Sequence, residues 1–421
     1  MSVKELQASI EEISADIDRQ QEVLKNLEHS RSALQRQLNA LCDPVAQLPL
    51  EISGEIFMQC VPIRPQLGAH HAPMVFLNIC NAWTNIAIST PGLWTAIHIE
   101  FLNAEAFSEL LEIWLIRARN HSLSISLRTT FYEDVATIVQ QHTEQINSLG
   151  IYGDEPRYLD RPATMGSFPS LETLTIGSLG PLNASVLPRQ GLAVLGLAPN
   201  LVACTLCNFF TQWSPADIIT DTLVLPNLRY LKFGRDEARP NSRGSDESRD
   251  SDDDVLRYLS LPALETLYLP MTDLPLEDFA SFLKRSSPPL QKLVVSGPHR
   301  TADLEYIPLD ECLRLVPLLT HFELYSPDER FLGLDPFFAA LAEAPSTFLP
   351  SLQIIKIHDH PWETSYELLV RALSVRRGQI TQFELHLIPD ATGQMIMPAA
   401  EIRVALQELV ADGMDIHIGP K

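Results

Sequence analysis

From Val3 to Leu41 apolar residues recur with a seven-residue period. Taking Val3 as position a and Leu6 as d, the a series is Val3, Ile10, Ile17, Leu24, Arg31 and Leu38. The d series is Leu6, Ile13, Gln20, Leu27, Leu34 and Leu41. Only Arg31 and Gln20 break the apolar seam, and neither Gly nor Pro occurs before Pro44. The pattern predicts one coiled-coil helix over residues 1–42. Its seam is too apolar to stay in water, so it either folds back on its own protein or forms a weak homodimer through residues 3–41. Ile10 and Ile17 at a, with Leu27, Leu34 and Leu41 at d, is the choice that favours two parallel strands.

Residues 44–99 change to shorter helical patterns. Leu48, Ile52 and Ile56 recur at i, i+4, i+8 beside Phe57, predicting a helix opened by Pro49. Val75, Ile79, Trp83 and Ile86 predict a second helix, stopped at Pro91-Gly92 and followed by the bulky pair Leu93-Trp94. So short a stretch cannot bury this surface alone, and it either caps a larger body or docks a partner. Residues 103–119 predict an amphipathic helix with Leu110, Ile113 and Trp114 on its apolar face. Residues 122–127 (SLSISL) alternate as a strand does.

A longer period follows. The motif apolar-x-x-apolar-x-apolar begins at Ile146, Leu171, Leu201, Leu228, Leu264, Leu290, Leu319, Leu352 and Ile380. Proline stands two residues ahead of seven of these nine copies (Pro169, Pro199, Pro226, Pro262, Pro288, Pro317 and Pro350), which apolar composition alone does not explain. Proline is tolerated at the first residue of a strand, so each is expected to mark a strand start. Segments 276–286, 335–344, 366–378 and 398–413 carry helical returns, the last closed by Gly413. The array resembles an irregular leucine-rich-repeat solenoid over residues 100–421, a curved parallel sheet with helical returns. The fold class is therefore α/β. The longest interval contains residues 235–254 (RDEARPNSRGSDESRDSDDD), which lack any apolar side chain larger than alanine and are expected to be disordered. This segment is an inert insertion or a regulated loop, with Ser251 ahead of Asp252-Asp253-Asp254 as an acidophilic phosphorylation site.

The stretch LPLEISGEIFMQC, a loop, and ICNAWTNIAISTPGLW resemble the F-box-like domain of a large group of fungal proteins, which often carry a helix just ahead of it. The resemblance covers residues 44–99. It implies docking onto the Skp-type adaptor of a cullin ubiquitin ligase through Leu48, Pro49, Leu50, Ile52, Ile56, Phe57, Ile79 and Trp83. With the repeat array holding an unknown protein target, it implies a non-catalytic substrate receptor. The alternative is an interaction scaffold in which the F-box-like segment only caps the array.

Composition narrows the partners. The chain of 421 residues has a net charge of −22, so nucleic acid is not expected as a partner. The segment from Pro65 to Ile99 has no Asp, Glu, Lys or Arg, but prolines and asparagines break it, so no membrane partner is expected. The charged N-terminus lacks an apolar leader, and six scattered cysteines make no disulfide framework. An intracellular location, nucleus or cytoplasm, is expected. Cys204-x-x-Cys207 has the spacing of a zinc or redox site, but Cys204 occupies an apolar triplet position and reads as a buried structural cysteine. His358-x-His360 and His70-His71 lack a clustered third ligand. No phosphate loop, nucleophile elbow or dinucleotide fingerprint occurs. No enzyme activity, catalytic residue, metal or cofactor is expected.

Overall fold

The structure is a computed structural model that describes residues 3–100, 104–128, 133–153, 159, 165–178, 185–186, 188–207, 210–211, 221–234, 254–270, 276–296, 309–325, 334–359, 366–387 and 397–419. The chain divides into two compact units, residues 1–123 and 124–421. Among the described residues, no helix is long and apolar enough to cross a membrane.

In the first unit, helix α1 runs Val3–Cys42 without interruption, as its lack of Gly and Pro permits. Helix α2 is Leu50–Gln59. Pro49 is its cap, with φ −54° and ψ 145°, and stands just outside the first turn where the sequence pattern places it. Helix α3 is Asn81–Ser89, shorter than the Val75–Ile86 periodicity implies. Met74–Asn78 forms a tighter 3-10 turn. Cys80 then turns extended (φ −157°, ψ 167°), and its sulfur accepts the Trp83 N–H at 3.5 Å, so α3 cannot begin earlier. Pro91–Trp94 closes the segment as a further 3-10 turn. The buried Trp94 Nε1 donates to the Ala87 carbonyl at 2.9 Å, tying that turn to α3.

Helix α4, Ala104–Ala118, packs Trp114 edge-on against Trp94 with ring centres 5.1 Å apart. Its buried face is Leu111, Trp114, Leu115 and Ala118, while Leu110 and Ile113 are exposed. The expected face was thus rotated by about one residue, since Leu111 and Leu115 frame Trp114 one turn apart.

A parallel sheet of twelve strands contains β1 (Ala96–Glu100), β2 (Leu123–Arg128), β3 (Ile146–Gly153), β4 (Thr173–Ser178), β5 (Ala203–Cys207) and β6 (Tyr230–Phe233). It continues with β7 (Thr266–Leu269), β8 (Lys292–Ser296), β9 (His321–Tyr325), β10 (Ile354–Asp359), β11 (Gln382–Leu387) and β12 (Asp415–Gly419). Spatial order equals chain order, and the sheet is not closed. Parallel strand crossovers are right-handed in almost every case, so a sheet that never reverses its order sends its returns to one face. The later return helices are α7 (Leu276–Ser286), α8 (Leu309–Leu313), α9 (Asp335–Glu343), α10 (Tyr366–Val375) and α11 (Ala400–Ala411), preceded by α5 (Glu133–Gln141) and α6 (Pro188–Gly196). From α7 to α11 each packs on the next.

The register puts the apolar triplets in line. Leu149, Leu174, Cys204, Leu231, Leu267, Leu293, Phe322, Ile355 and Phe383 are neighbours from β3 to β11, and all are buried. The prolines do not start strands. Each of β4 to β10 begins four residues after its proline, as with Pro169 and Thr173 or Pro350 and Ile354. The proline instead sits second in a tight turn. In six of the seven proline-led copies, all but that of Pro288, the first apolar residue of the triplet donates its N–H to the carbonyl ahead of the proline, as in Leu171 to Phe168 (3.3 Å), Leu201 to Ala198 (3.2 Å) and Leu352 to Leu349 (3.2 Å). That turn position needs φ near −65° and no N–H, which proline supplies. One carbonyl just ahead of each of β4 to β10 then accepts two N–H groups from the next copy: Glu172 O takes Val202 N (2.8 Å) and Ala203 N (2.9 Å), and Thr320 O takes Gln353 N (2.9 Å) and Ile354 N (3.0 Å).

Two arginines fasten copy to copy on the return side. Arg285 donates to the carbonyls of Leu259, Leu256 and Arg257, each at 3.0 Å. Arg376, just past the end of α10, is 1% exposed. It donates to the carbonyls of Leu341 (3.0 Å), Leu349 (3.2 Å), Ala344 (3.5 Å) and Phe348, and to Gln379 Oε1 (3.1 Å). Helix α11 ends as its sequence indicates. Gly413 takes φ +99°, its N–H reaches Val410 O at 3.0 Å, and Met414 N reaches Leu409 O at 3.2 Å, a Schellman cap that glycine adopts without strain. Of the acidic insertion 235–254, only Asp254 lies within the described residues, where it opens a 3-10 turn to Tyr258.

Candidate functional site

Helix α2 has two contrasting faces. Ser53, Gly54 and Phe57 face inward and are buried. Ser53 Oγ donates to Val45 O at 2.8 Å. Gly54 lets Thr90 approach so closely that an added Cβ would lie 2.9 Å from its hydroxyl oxygen. Phe57 stacks on Phe76 at 4.4 Å and tilts against Trp83 at 4.8 Å. The Trp83 indole N–H donates to the Asp43 carboxylate, whose other oxygen accepts the Val45 N–H at 2.8 Å. The core of residues 44–99 is thus complete without the Leu48–Ile52–Ile56 stripe.

That stripe faces out. Leu48 is 42% exposed, Leu50 46%, Ile52 51% and Ile56 38%. Pro49 is exposed beside them, and Ile79 and Trp83 are half-buried. Of the eight residues singled out from the sequence, five stand open on or just ahead of α2, two are partly covered, and Phe57 belongs to the core. Met58, Ile63 and Ile88 are further exposed apolar side chains in the segment. The period of the first stripe does not include them, so sequence reasoning passed over them.

The sheet of the second unit offers the other candidate surface. Between the buried positions, Lys232, Tyr268, Val294, Glu323, Lys356, Glu384 and His417 stand in register on the opposite face from β6 to β12. Lys232 and Lys292 lie 5.4 and 5.0 Å from the centre of the Tyr268 ring. Further along, Tyr325, His358, His386 and His417 form a ladder of rings with successive centres 4.1, 4.5 and 5.5 Å apart. Beneath it, Lys356 pairs with Glu384 at 3.0 Å. Glu323 accepts the Tyr325 hydroxyl at 2.5 Å and has His321 and His358 each at 3.6 Å. Of this group the sequence singled out only His358. The signal was the x positions of the triplets, which are polar in HFELY, IIKIHD and QFELHL.

Burial pushes the Glu323 carboxyl up, but the hydrogen bond from the Tyr325 hydroxyl and the close His321 and His358 rings outweigh it and hold the group far below the usual carboxylate range. A depressed folded pKa adds stability that is complete above the unfolded value of about 4.3 and is lost as the pH falls through the folded one. Glu323→Gln is therefore expected to lower stability at pH 7 by about 1–3 kcal/mol and to flatten the loss below pH 4. Urea titrations of both proteins across pH 3 to 7 check this.

The cysteine pair cannot chelate together. Cys204 points into the core, where burial pushes its thiol up to about 12, while Cys207 is three residues on and faces the other way. His70 and His71 are exposed, and His360 lies outside the described residues. No group of His, Cys, Asp and Glu suited to a metal ion occurs among the described residues. Comparison with known proteins gives no family profile and no curated protein that matches the chain.

Proposed function

We propose that the chain is a non-catalytic substrate receptor of a Skp–cullin–F-box ubiquitin ligase. The F-box-like segment 44–99 docks the Skp-type adaptor, and the repeats form a leucine-rich-repeat solenoid whose polar face holds a target protein. The observation that carries this reading is the bare stripe Leu48, Leu50, Ile52 and Ile56, on and just ahead of a helix whose other face already completes a core. Four neighbouring apolar side chains left in water are an interaction surface. The strictly sequential parallel sheet, with one packed face and one polar face, supports the array reading. Ubiquitin chemistry belongs to other subunits of the ligase.

Capture of a purified Skp-type adaptor and its cullin by the full chain tests the proposal. Ile52→Glu with Ile56→Glu is expected to abolish capture and leave the melting temperature within a degree or two, since both side chains are already solvated. If the unaltered chain captures neither subunit, the segment is only a cap on the array and the protein is an interaction scaffold.

A further inference from the structure

We propose that α1 pairs with α1 of a second copy of this chain in antiparallel orientation, giving a two-stranded coiled coil. Every described apolar seam residue of α1 is open to water: Ile13, Ile17, Leu24, Leu27, Leu34 and Leu38 are between 49% and 66% exposed. An isolated helix does not hold such a seam in water, and helical stability comes from packing the apolar face.

The two polar interruptions decide the orientation, against the parallel pairing that Ile at a and Leu at d favour on their own. In a parallel, in-register pair each seam residue meets its own copy, so Arg31 faces Arg31 of the second helix across an apolar layer. Reversing one helix makes each a position face a d position. The seam then matches itself about a midpoint between Lys25 and Asn26: Ile13 meets Leu38, Ile17 meets Leu34, and Leu24 meets Leu27. In the same alignment Gln20 falls opposite Arg31, twice by symmetry. The two polar seam residues share a layer, where a neutral amide oxygen accepts from the guanidinium. A parallel pair instead places two cations together, which costs stability. The flanks do not compete with this choice. Among the described e and g positions from Ser14 to Gln37, only Asp16 and Glu28 are charged. A polar residue at a single seam position fixing register and orientation is well attested. The exposed seam from Ile13 to Leu38, about 38 Å at 1.5 Å per residue, and its match to its own reverse identify a second copy as the occupant.

The test uses the full chain. Sedimentation is expected to show a concentration-dependent dimer. Gln20→Glu places a carboxylate opposite Arg31 in the antiparallel pair and is expected to tighten it roughly threefold to tenfold, as two partly exposed ion pairs allow. In a parallel pair the same change sets glutamate against glutamate and loosens it. A spin label at Asp16→Cys, with the exposed Cys42 and Cys60 replaced by serine, reads the geometry directly. Position 16 pairs with position 35, so the two labels lie about 28 Å apart along the axis, against side by side in a parallel pair. A monomer at tens of micromolar, a loosened Gln20→Glu dimer, or labels side by side overturns the proposal.

Discussion

Arg376→Met will destabilise the protein by about 3–5 kcal/mol, the range of the most damaging single substitutions. Arg376 is fully buried and has four backbone carbonyls and the Gln379 amide oxygen as acceptors. Two of these carbonyls, Leu341 and Ala344, lie at the C-terminal end of α9, where the helix dipole is negative. Burial lowers the guanidinium pKa, yet a group titrating so high stays charged. The cation is held by peptide dipoles in place of water. Methionine fills similar volume but leaves buried acceptors without donors, each costing about 1–3 kcal/mol. Arg376→Lys is expected to recover only part of the loss, because an ammonium cannot reach acceptors spread around a planar fork. Urea unfolding followed by circular dichroism measures both. A Met variant within about 1 kcal/mol of the parent would show that these carbonyls find other donors.

Phe57→Ala is the second large effect, expected at about 3–5 kcal/mol for a buried aromatic. The side chain is 1% exposed and touches both Phe76 and Trp83. Its loss opens a cavity between α2 and α3 and loosens the surface that presents Ile52 and Ile56. Adaptor binding is expected to fall together with the melting temperature in this variant. In Ile52→Ala it is expected to fall without it. A Phe57→Ala protein that melts like the parent but no longer binds would move Phe57 from core to docking surface.

Much of the sheet was legible because its signal repeats. Nine triplets such as LETLTI and LQIIKI give the buried face of β3 to β11 residue by residue, since alternation in a strand leaves no other choice of face. The prolines carried the period but not their own role. A turn position and a strand start both suit a residue lacking an N–H, and only the four-residue offset separates them. Strand β12 went unread because DIHIG is short and follows a strong helix. In the first unit, the stripe Leu48–Ile52–Ile56 was legible as apolar, but periodicity cannot say whether a stripe faces a core or a partner. Ser53 and Gly54, which face inward, are too small to register as a hydrophobic pattern. The extended Cys80 likewise ended the Val75–Ile86 periodicity through backbone conformation, which residue spacing does not report. The ring ladder of Tyr325, His358, His386 and His417 depends on register between strands about thirty residues apart, which no local motif encodes.

Isothermal titration of the intact chain into a purified Skp-type adaptor measures the proposed docking through α2. A handful of buried apolar anchors carries most of the energy of an interface. Saturable one-to-one binding per chain is expected, with Kd at or below about 1 μM, near −8 kcal/mol, and at least a hundredfold weaker binding for Ile52→Glu with Ile56→Glu. No binding by the intact, folded chain at about 50 μM, a bound of roughly −6 kcal/mol, would contradict it.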